Sequence, residues 1–262
     1  MRLNDYSCGE GFPLVILHGL FGSSDNWQTL SRKFKEHYHV FALDLRNHGQ
    51  SPHDNDVGFP AMARDVAEFL DAHQLGEAFV LGHSLGGKVA MQLDNDFPQR
   101  VRRLVVADIA PRGYPRHHDD LFAAMLSLDL AHYRSRGEAE RALAPRIPDT
   151  ALRQFLLKNL ANTETGGLKW KINLQGLHDG YDALCKAPPL TQKFMGPTLF
   201  VRGESSSYIA KEDEPWLQER WYPNARFATL QGAGHWLHAE KPEEFFQVVR
   251  EFLGCEVFVT PP

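Results

Sequence analysis

A serine, a group of histidines and a few carboxylates are spaced along this chain in a way that suits acyl transfer. Gly82-His83-Ser84-Leu85-Gly86 follows the apolar run Phe79-Val80-Leu81 and opens a helical pattern extending towards Phe97. A serine on a sharp strand-to-helix turn presents its hydroxyl as a nucleophile, and glycines two residues to either side let neighbouring backbone come close. The helix N-terminus behind it favours negative charge developing nearby. A serine that caps a helix after a glycine turn is the plain structural alternative, and for this pentapeptide in isolation it is the better reading. The order strand, turn, helix favours the nucleophile.

A serine hydroxyl needs a general base, usually histidine. With 13 histidines, position must select one. Gly232-Ala233-Gly234-His235 follows the last apolar run and precedes the last helical pattern. His235 is therefore expected at the strand ends, where ligands bind in such sheets. His238 reads as packed or capping, and His83 as structural, pointing to the opposite side of the turn. The base in turn needs a carboxylate to orient it. Asp108 ends the run 104–107 and is favoured by its place on the strand. Its alternative reading is a turn aspartate at a hinge. Glu204 is the fallback, in Arg202-Gly203-Glu204-Ser205-Ser206-Ser207, and Asp213 falls too far into the next helix. Two N–H donors must face the tetrahedral oxyanion. Leu85 is one. Leu20, in His18-Gly19-Leu20-Phe21-Gly22, is the other, with Phe21 as the alternative. That glycine loop lacks the pattern of a nucleotide-phosphate cradle. The chemistry needs no metal and no organic cofactor.

The elements that must hold these groups are short continuous apolar runs at 14–17, 40–43, 79–81, 104–107, 198–201 and 227–230, as in strands buried on both faces. Amphipathic segments lie between them: Met62, Val66, Phe69, Leu70 and His73 share one helical face, and Phe245, Phe246, Val249, Phe252 and Leu253 another, with Pro242 at a first helical position. The alternation predicts an α/β fold with a mostly parallel sheet flanked by helices. Residues 111–190 break the rhythm. They carry helical patterns at 121–130 and 152–160, six punctuating prolines from Pro111 to Pro189, and no clear buried strand. We read this stretch as an inserted helical cap on a core formed by 1–110 and 191–262, with no assignment for the tail beyond Leu253. Candidate substrate-binding side chains are Phe21, Phe122, Met125, Phe155, Trp170 and Trp236. With Leu126 and Leu156 added, the cap residues among these are candidates to line an acyl pocket with Trp236 near its floor, and any one of them is more simply explained by packing. Arg112, Arg116, His117 and His118 form a cationic cluster at the cap entrance that suits phosphate or, more simply, solvent.

Composition narrows the function classes. The chain has 262 residues, 43% of them hydrophobic, and a formal net charge of −5. This supports one sizeable core and argues against nucleic acid or anionic membrane as a partner. No apolar run approaches the ~18 residues of a membrane span. Cys8, Cys185 and Cys255 are odd in number and far apart, which fits neither a disulfide framework nor a zinc site. Without an apolar leader at the N-terminus, a cytoplasmic monomer or homodimer acting on a small molecule is expected.

Several segments taken together carry a family resemblance. They are the stretch from His18 through Gly22 to Trp27, Asp44-Leu45-Arg46-Asn47-His48-Gly49-Gln50-Ser51-Pro52, Gly82 through Gly87 to Lys88, Asp108-Ile109-Ala110-Pro111, Gln154-Phe155-Leu156-Leu157-Lys158, and the stretch from Ala233 to Pro242. This set resembles the YbfF-type esterases of the α/β-hydrolase superfamily over nearly the whole chain. The resemblance implies an α/β-hydrolase fold, a Ser84, Asp108, His235 triad, and hydrolysis of short- to medium-chain acyl esters, with acyl-CoA thioesters as the alternative. The segment 202–207 departs from the family's pattern and leaves a part for Glu204 open. A dehalogenase or epoxide hydrolase would carry aspartate where Ser84 stands. A non-catalytic binding module would leave Ser84 unreactive to a fluorophosphonate.

Overall fold

The computed structural model describes residues 1–164 and 166–254. In chain order they form β1 (Asp5–Cys8), β2 (Pro13–Leu17), α1 (Gln28–Phe34), β3 (His39–Leu43), α2 (Phe59–Ala72), β4 (Ala78–His83), α3 (Leu85–Asp96) and β5 (Val101–Ala107). Then follow α4 (Asp119–Leu126), α5 (Arg136–Leu143), α6 (Thr150–Leu157), β6 (Leu160–Asn162), β7 (Leu168–Trp170), α7 (Leu174–Asp179) and α8 (Tyr181–Cys185). The chain ends with β8 (Thr198–Gly203), α9 (Glu214–Arg220), β9 (Ala225–Leu230), α10 (Leu237–Glu240) and α11 (Pro242–Leu253).

The apolar runs become the strands of a seven-stranded sheet in the order β1-β3-β2-β4-β5-β8-β9. Every pairing is parallel except that of β1 with β3. The two-residue period of a strand divides the runs between two faces. Val15, Leu17, Val80, Leu104 and Val106 pack with Met62, Val66 and Val89 of α2 and α3. Leu14, Ile16, Phe79, Leu81 and Val105 pack with Leu30 and Phe34 of α1 and with Phe245 and Val249 of α11. Both faces are covered, which is why the strands read as continuous apolar runs. β1 was not predicted: Asp-Tyr-Ser-Cys is a half-exposed edge strand, held by register pairs such as Tyr6 with Ala42 rather than by an apolar run.

The chain leaves the sheet after β5 and returns at β8. In this stretch the expectation of helices without strands needs correction, because β6 and β7 form an antiparallel hairpin pairing Leu160 with Trp170. Each strand has three residues, and only Leu160 and Leu168 are buried, so no run marks them. Phe122, Met125, Leu143 and Leu156 belong to the same hydrophobic cluster as Val15 and Val106, so the inserted stretch has no separate core. Cys8 and Cys185 are free thiols. Cys255 and the tail lie outside the described residues. Among the described residues no helix is long and apolar enough to cross a membrane.

Candidate active site

The site forms where β2, β4, β5, β8 and β9 end. Ser84 stands between β4 and α3 with φ 53° and ψ −116°. That backbone costs a serine on the order of 1–3 kcal/mol and persists only where its surroundings over-determine it. Here they do. A Cβ on Gly82 would sit 2.2 Å from the Gly86 carbonyl oxygen, and one on Gly86 would sit 2.2 Å from that of Leu17. The turn is crossed too closely for any side chain at either position. Ser84 N–H donates to Ala107 O at 3.0 Å, which ties the turn to β5.

His235 Nε2 lies 3.0 Å from Ser84 Oγ, and its Nδ1 lies 2.7 Å from Asp108 Oδ2. A carboxylate that accepts from Nδ1–H leaves Nε2 free to take the serine proton. Asp108 is itself a backbone exception with φ 54°, and it is fully buried. Its Oδ1 accepts Gly203 N–H at 3.1 Å, and Ser206 Oγ–H donates to Oδ2. A buried carboxylate with three donors is the form such a charge takes in a protein interior. The serine-rich segment after β8 thus supplies a donor to Asp108 rather than an acid of its own. Glu204 does not pair with His235, whose Nδ1 faces Asp108, but accepts Gly232 N–H at 2.8 Å, and Asp213 accepts Ala210 N–H at 2.8 Å.

His83 does not point away from the site as the sequence suggested. Its Nε2–H donates to the His235 carbonyl at 2.8 Å, and the two rings lie 4.8 Å apart. Burial, then the neighbouring His238 and His235, hold His83 well below the usual histidine pKa, so it stays neutral. Gly19 is needed beside it, since a Cβ there would lie 2.9 Å from His83 Nδ1 and 3.3 Å from Ser84 Cβ. His238 stacks on Trp27 at 4.4 Å, and burial, with His235 nearby, pushes its pKa down to about 3. Two further residues brace His235, and sequence reasoning missed both. Tyr208 stacks on the imidazole at 3.9 Å, and Glu240 accepts Gly234 N–H at 2.6 Å and Trp236 N–H at 3.2 Å. Glu240 stands in the segment that ends at Pro242, and its spacing from Gly234 was the available signal.

The loop after β2 closes with Gly22 N–H donating to Gly19 O at 2.9 Å, and Phe21 has φ 62°. Buried Asn159, between α6 and β6, donates to Phe21 O at 2.7 Å and so fixes the loop that carries Leu20. Leu85 opens α3, where the first N–H groups have no helical acceptor.

Two cavities meet at this point, and Ser84 and Leu20 line both. One of ≈ 370 Å³ is lined also by Phe21, Leu152, Phe155, His235 and Trp236. The other, of ≈ 60 Å³, is lined by Leu85, Lys88, Ile109, Tyr114, Leu184 and Tyr208 among others. Phe21, Phe155 and Trp236 therefore stand where a substrate would be met. Phe122, Met125 and Trp170 do not. Phe122 and Met125 are fully buried on the face of α4 that packs inward, and Trp170 is packed against the same cluster. Their apolar pattern reflects packing rather than a pocket wall. Leu156 is likewise fully buried, whereas Leu126 is exposed. Arg112 is paired with Asp213 at 2.8 Å, and Arg116 with Asp119 and Asp182, so neither guanidinium is free for a phosphate. Among the described residues no group of three or more His, Cys, Asp or Glu could hold a metal ion.

Comparison with known proteins agrees with this architecture. The profile of the "Alpha/beta hydrolase family" matches residues 14–248, and the chain belongs to that family. Within it, the chain is a relative of the YbfF-type esterases. It is 36% identical over 246 residues to esterase YbfF of Escherichia coli K12, covering 92% of this chain and 93% of that one. It is 38% identical over 251 residues to sn-1-specific diacylglycerol lipase ABHD11 of Xenopus laevis, covering 93% and 80%. A solved structure described as a marine microorganism esterase is 39% identical, with a TM-score of 0.93 and coverage of 96% and 99%.

Proposed function

We propose that this chain is a serine carboxylesterase that cleaves short- to medium-chain acyl esters through an acyl-enzyme. Ser84 is the nucleophile, His235 the base and then the acid, and Asp108 the orienting carboxylate. The backbone N–H groups of Leu20 and Leu85 hold the oxyanion. The observation that carries this reading is the unbroken line from Ser84 Oγ through His235 to the buried Asp108, at 3.0 and 2.7 Å. The printed names of the relatives, esterase and lipase, support it. Residues 111–190 act as a cap over a core of 1–110 and 191–262. No cofactor takes part.

In the first step Ser84 Oγ bonds to the acyl carbon while its proton passes to His235 Nε2. The carbon–oxygen bond to the alcohol then breaks, and the leaving oxygen takes that proton. In the second step a water gives a proton to His235, its oxygen bonds to the acyl carbon, and the Ser84 ester breaks as the proton returns to Oγ. Tyr208 stacked on the ring and Asp108 behind it both favour the imidazolium that forms between these transfers. Incubation with a fluorophosphonate followed by peptide mass spectrometry tests the assignment. A single adduct on Ser84 is expected, and an unlabelled Ser84 in folded protein would overturn it.

A further inference from the structure

The two cavities that meet at Ser84 differ in size and in their relation to His235. The larger has His235 in its wall, beside Phe155 and Trp236. The smaller is walled instead by Lys88, Ile109 and Leu184. A general acid must lie within hydrogen-bond reach, about 2.6–3.2 Å, of the atom it protonates. The oxygen that receives the proton from His235 Nε2 is the leaving oxygen of the ester. The alcohol therefore leaves on the side that His235 lines. The acyl substituent, on the other bond of the carbonyl carbon, is directed to the opposite side.

We infer, on the serine-esterase reading above, that the small cavity is the acyl pocket and the large one receives the alcohol, so that the enzyme takes esters of short acids with bulky alcohols. At ≈ 60 Å³ against ≈ 370 Å³, the small cavity takes the smaller of the two substituents, a short acyl chain such as acetyl or propionyl. Its wall does not yield easily. Buried Lys88 donates from Nζ to the carbonyls of Leu184 at 3.2 Å and Lys186 at 2.7 Å, and it lies 5.0 Å from the Tyr114 ring. Displacing it for a longer chain would leave a buried ammonium without acceptors. The alcohol side, by contrast, runs on. A groove of ≈ 590 Å³ shares Leu152, Phe155 and Trp236 with the large cavity and leads away between α6 and α10.

Two substrate series test this on the intact chain. In the first, p-nitrophenyl esters carry acyl groups from acetyl to octanoyl. In the second, acetates carry primary alcohols from ethyl to octyl. Along the first series kcat/KM is expected to fall by about tenfold or more. Along the second it should hold or rise. Leu184→Ala should raise the octanoyl-to-acetyl ratio of kcat/KM by about tenfold, and an unchanged ratio would speak against Leu184 as the limit on acyl length. A preference for octanoyl esters, or equal sensitivity in both series, would overturn the orientation while leaving the esterase reading intact. Absence of turnover in both series, with Ser84 unlabelled by fluorophosphonate, would remove the reading on which it rests.

Discussion

The strand-end rim and the inserted stretch 111–190 hold their functional residues by different means. On the rim the backbone does the holding. Ser84 and Asp108 sit at φ 53° and 54°, and Gly82, Gly86 and Gly19 have no room for a Cβ. In the inserted stretch side chains do it: Asn159 reaches the Phe21 carbonyl, and Leu184 and Lys186 are tied through their carbonyls to Lys88. The rim therefore tolerates few residue types at each position, whereas the insert can exchange one side chain for another of similar shape. On the serine-esterase reading, chemistry rests where the backbone admits few residue types, and selection rests partly on side chains and carbonyls of the insert.

Substitutions ordered by expected effect can break that contrast. Ser84→Ala should lower kcat on p-nitrophenyl acetate by about 10⁴-fold or more. Asp108→Asn should cost roughly 10³–10⁴-fold by disturbing the imidazole tautomer, whereas Glu204→Gln should change kcat/KM by less than about threefold, its carboxylate accepting Gly232 N–H. The reverse ranking in steady-state kinetics would move the acid to the loop after β8. Asn159→Leu should lower kcat by about tenfold with a smaller change in KM, since the Leu20 loop loses its outside tie. A KM effect alone would make Asn159 a binding contact. Phe155→Ala should raise KM about three- to fivefold for bulky alcohols and leave kcat nearly unchanged.

The smallest effect concerns stability and pH. His48 and His238 are pushed down to about 3 and His118 to about 4, in each case chiefly by burial. Between those values and the unfolded value of 6.5 the unfolded chain binds more protons than the folded one, so stability rises with pH and is lost on acidification. Buried Asp94, whose pKa is raised by burial, acts in the opposite sense above 3.8. With six histidines lowered, His18, His39 and His83 besides these three, against one raised carboxylate, Tm is expected to drop by several degrees between pH 7 and pH 5 in thermal scans. A flat profile would mean that these rings are solvated.

β2 to β5 and β8 were legible because both sheet faces are covered there, so their five apolar runs declared themselves, while β9 is a half-buried run in which Leu230 is buried. Ser84, Asp108 and His235 were legible for a related reason: each ends an apolar run or follows one in a glycine turn. What stayed hidden was held by contacts without a pattern. β1 is four half-exposed residues at an edge. The β6–β7 hairpin buries one leucine on each strand. Phe122 and Met125 look, along α4, the same whether they face a pocket or a core, and only packing decides. His83 was misread because a residue's direction on a tight turn depends on the loop that later covers it, here the one carrying His235. Ser206 gave no sign, since its acceptor is 98 positions away.

That separation has a consequence in time. Ser84 and His235 are 151 residues apart, and Asp108 and His235 are 127 apart. Asn159 and Phe21, which join the insert to the first glycine loop, are separated by 138. No early local structure contains two of these partners, and closing such long loops is slow. Hydrolysis thus begins only when the last strand has docked. During refolding, compactness and secondary structure should return first and turnover last, which makes the enzyme a reporter of its own completed assembly.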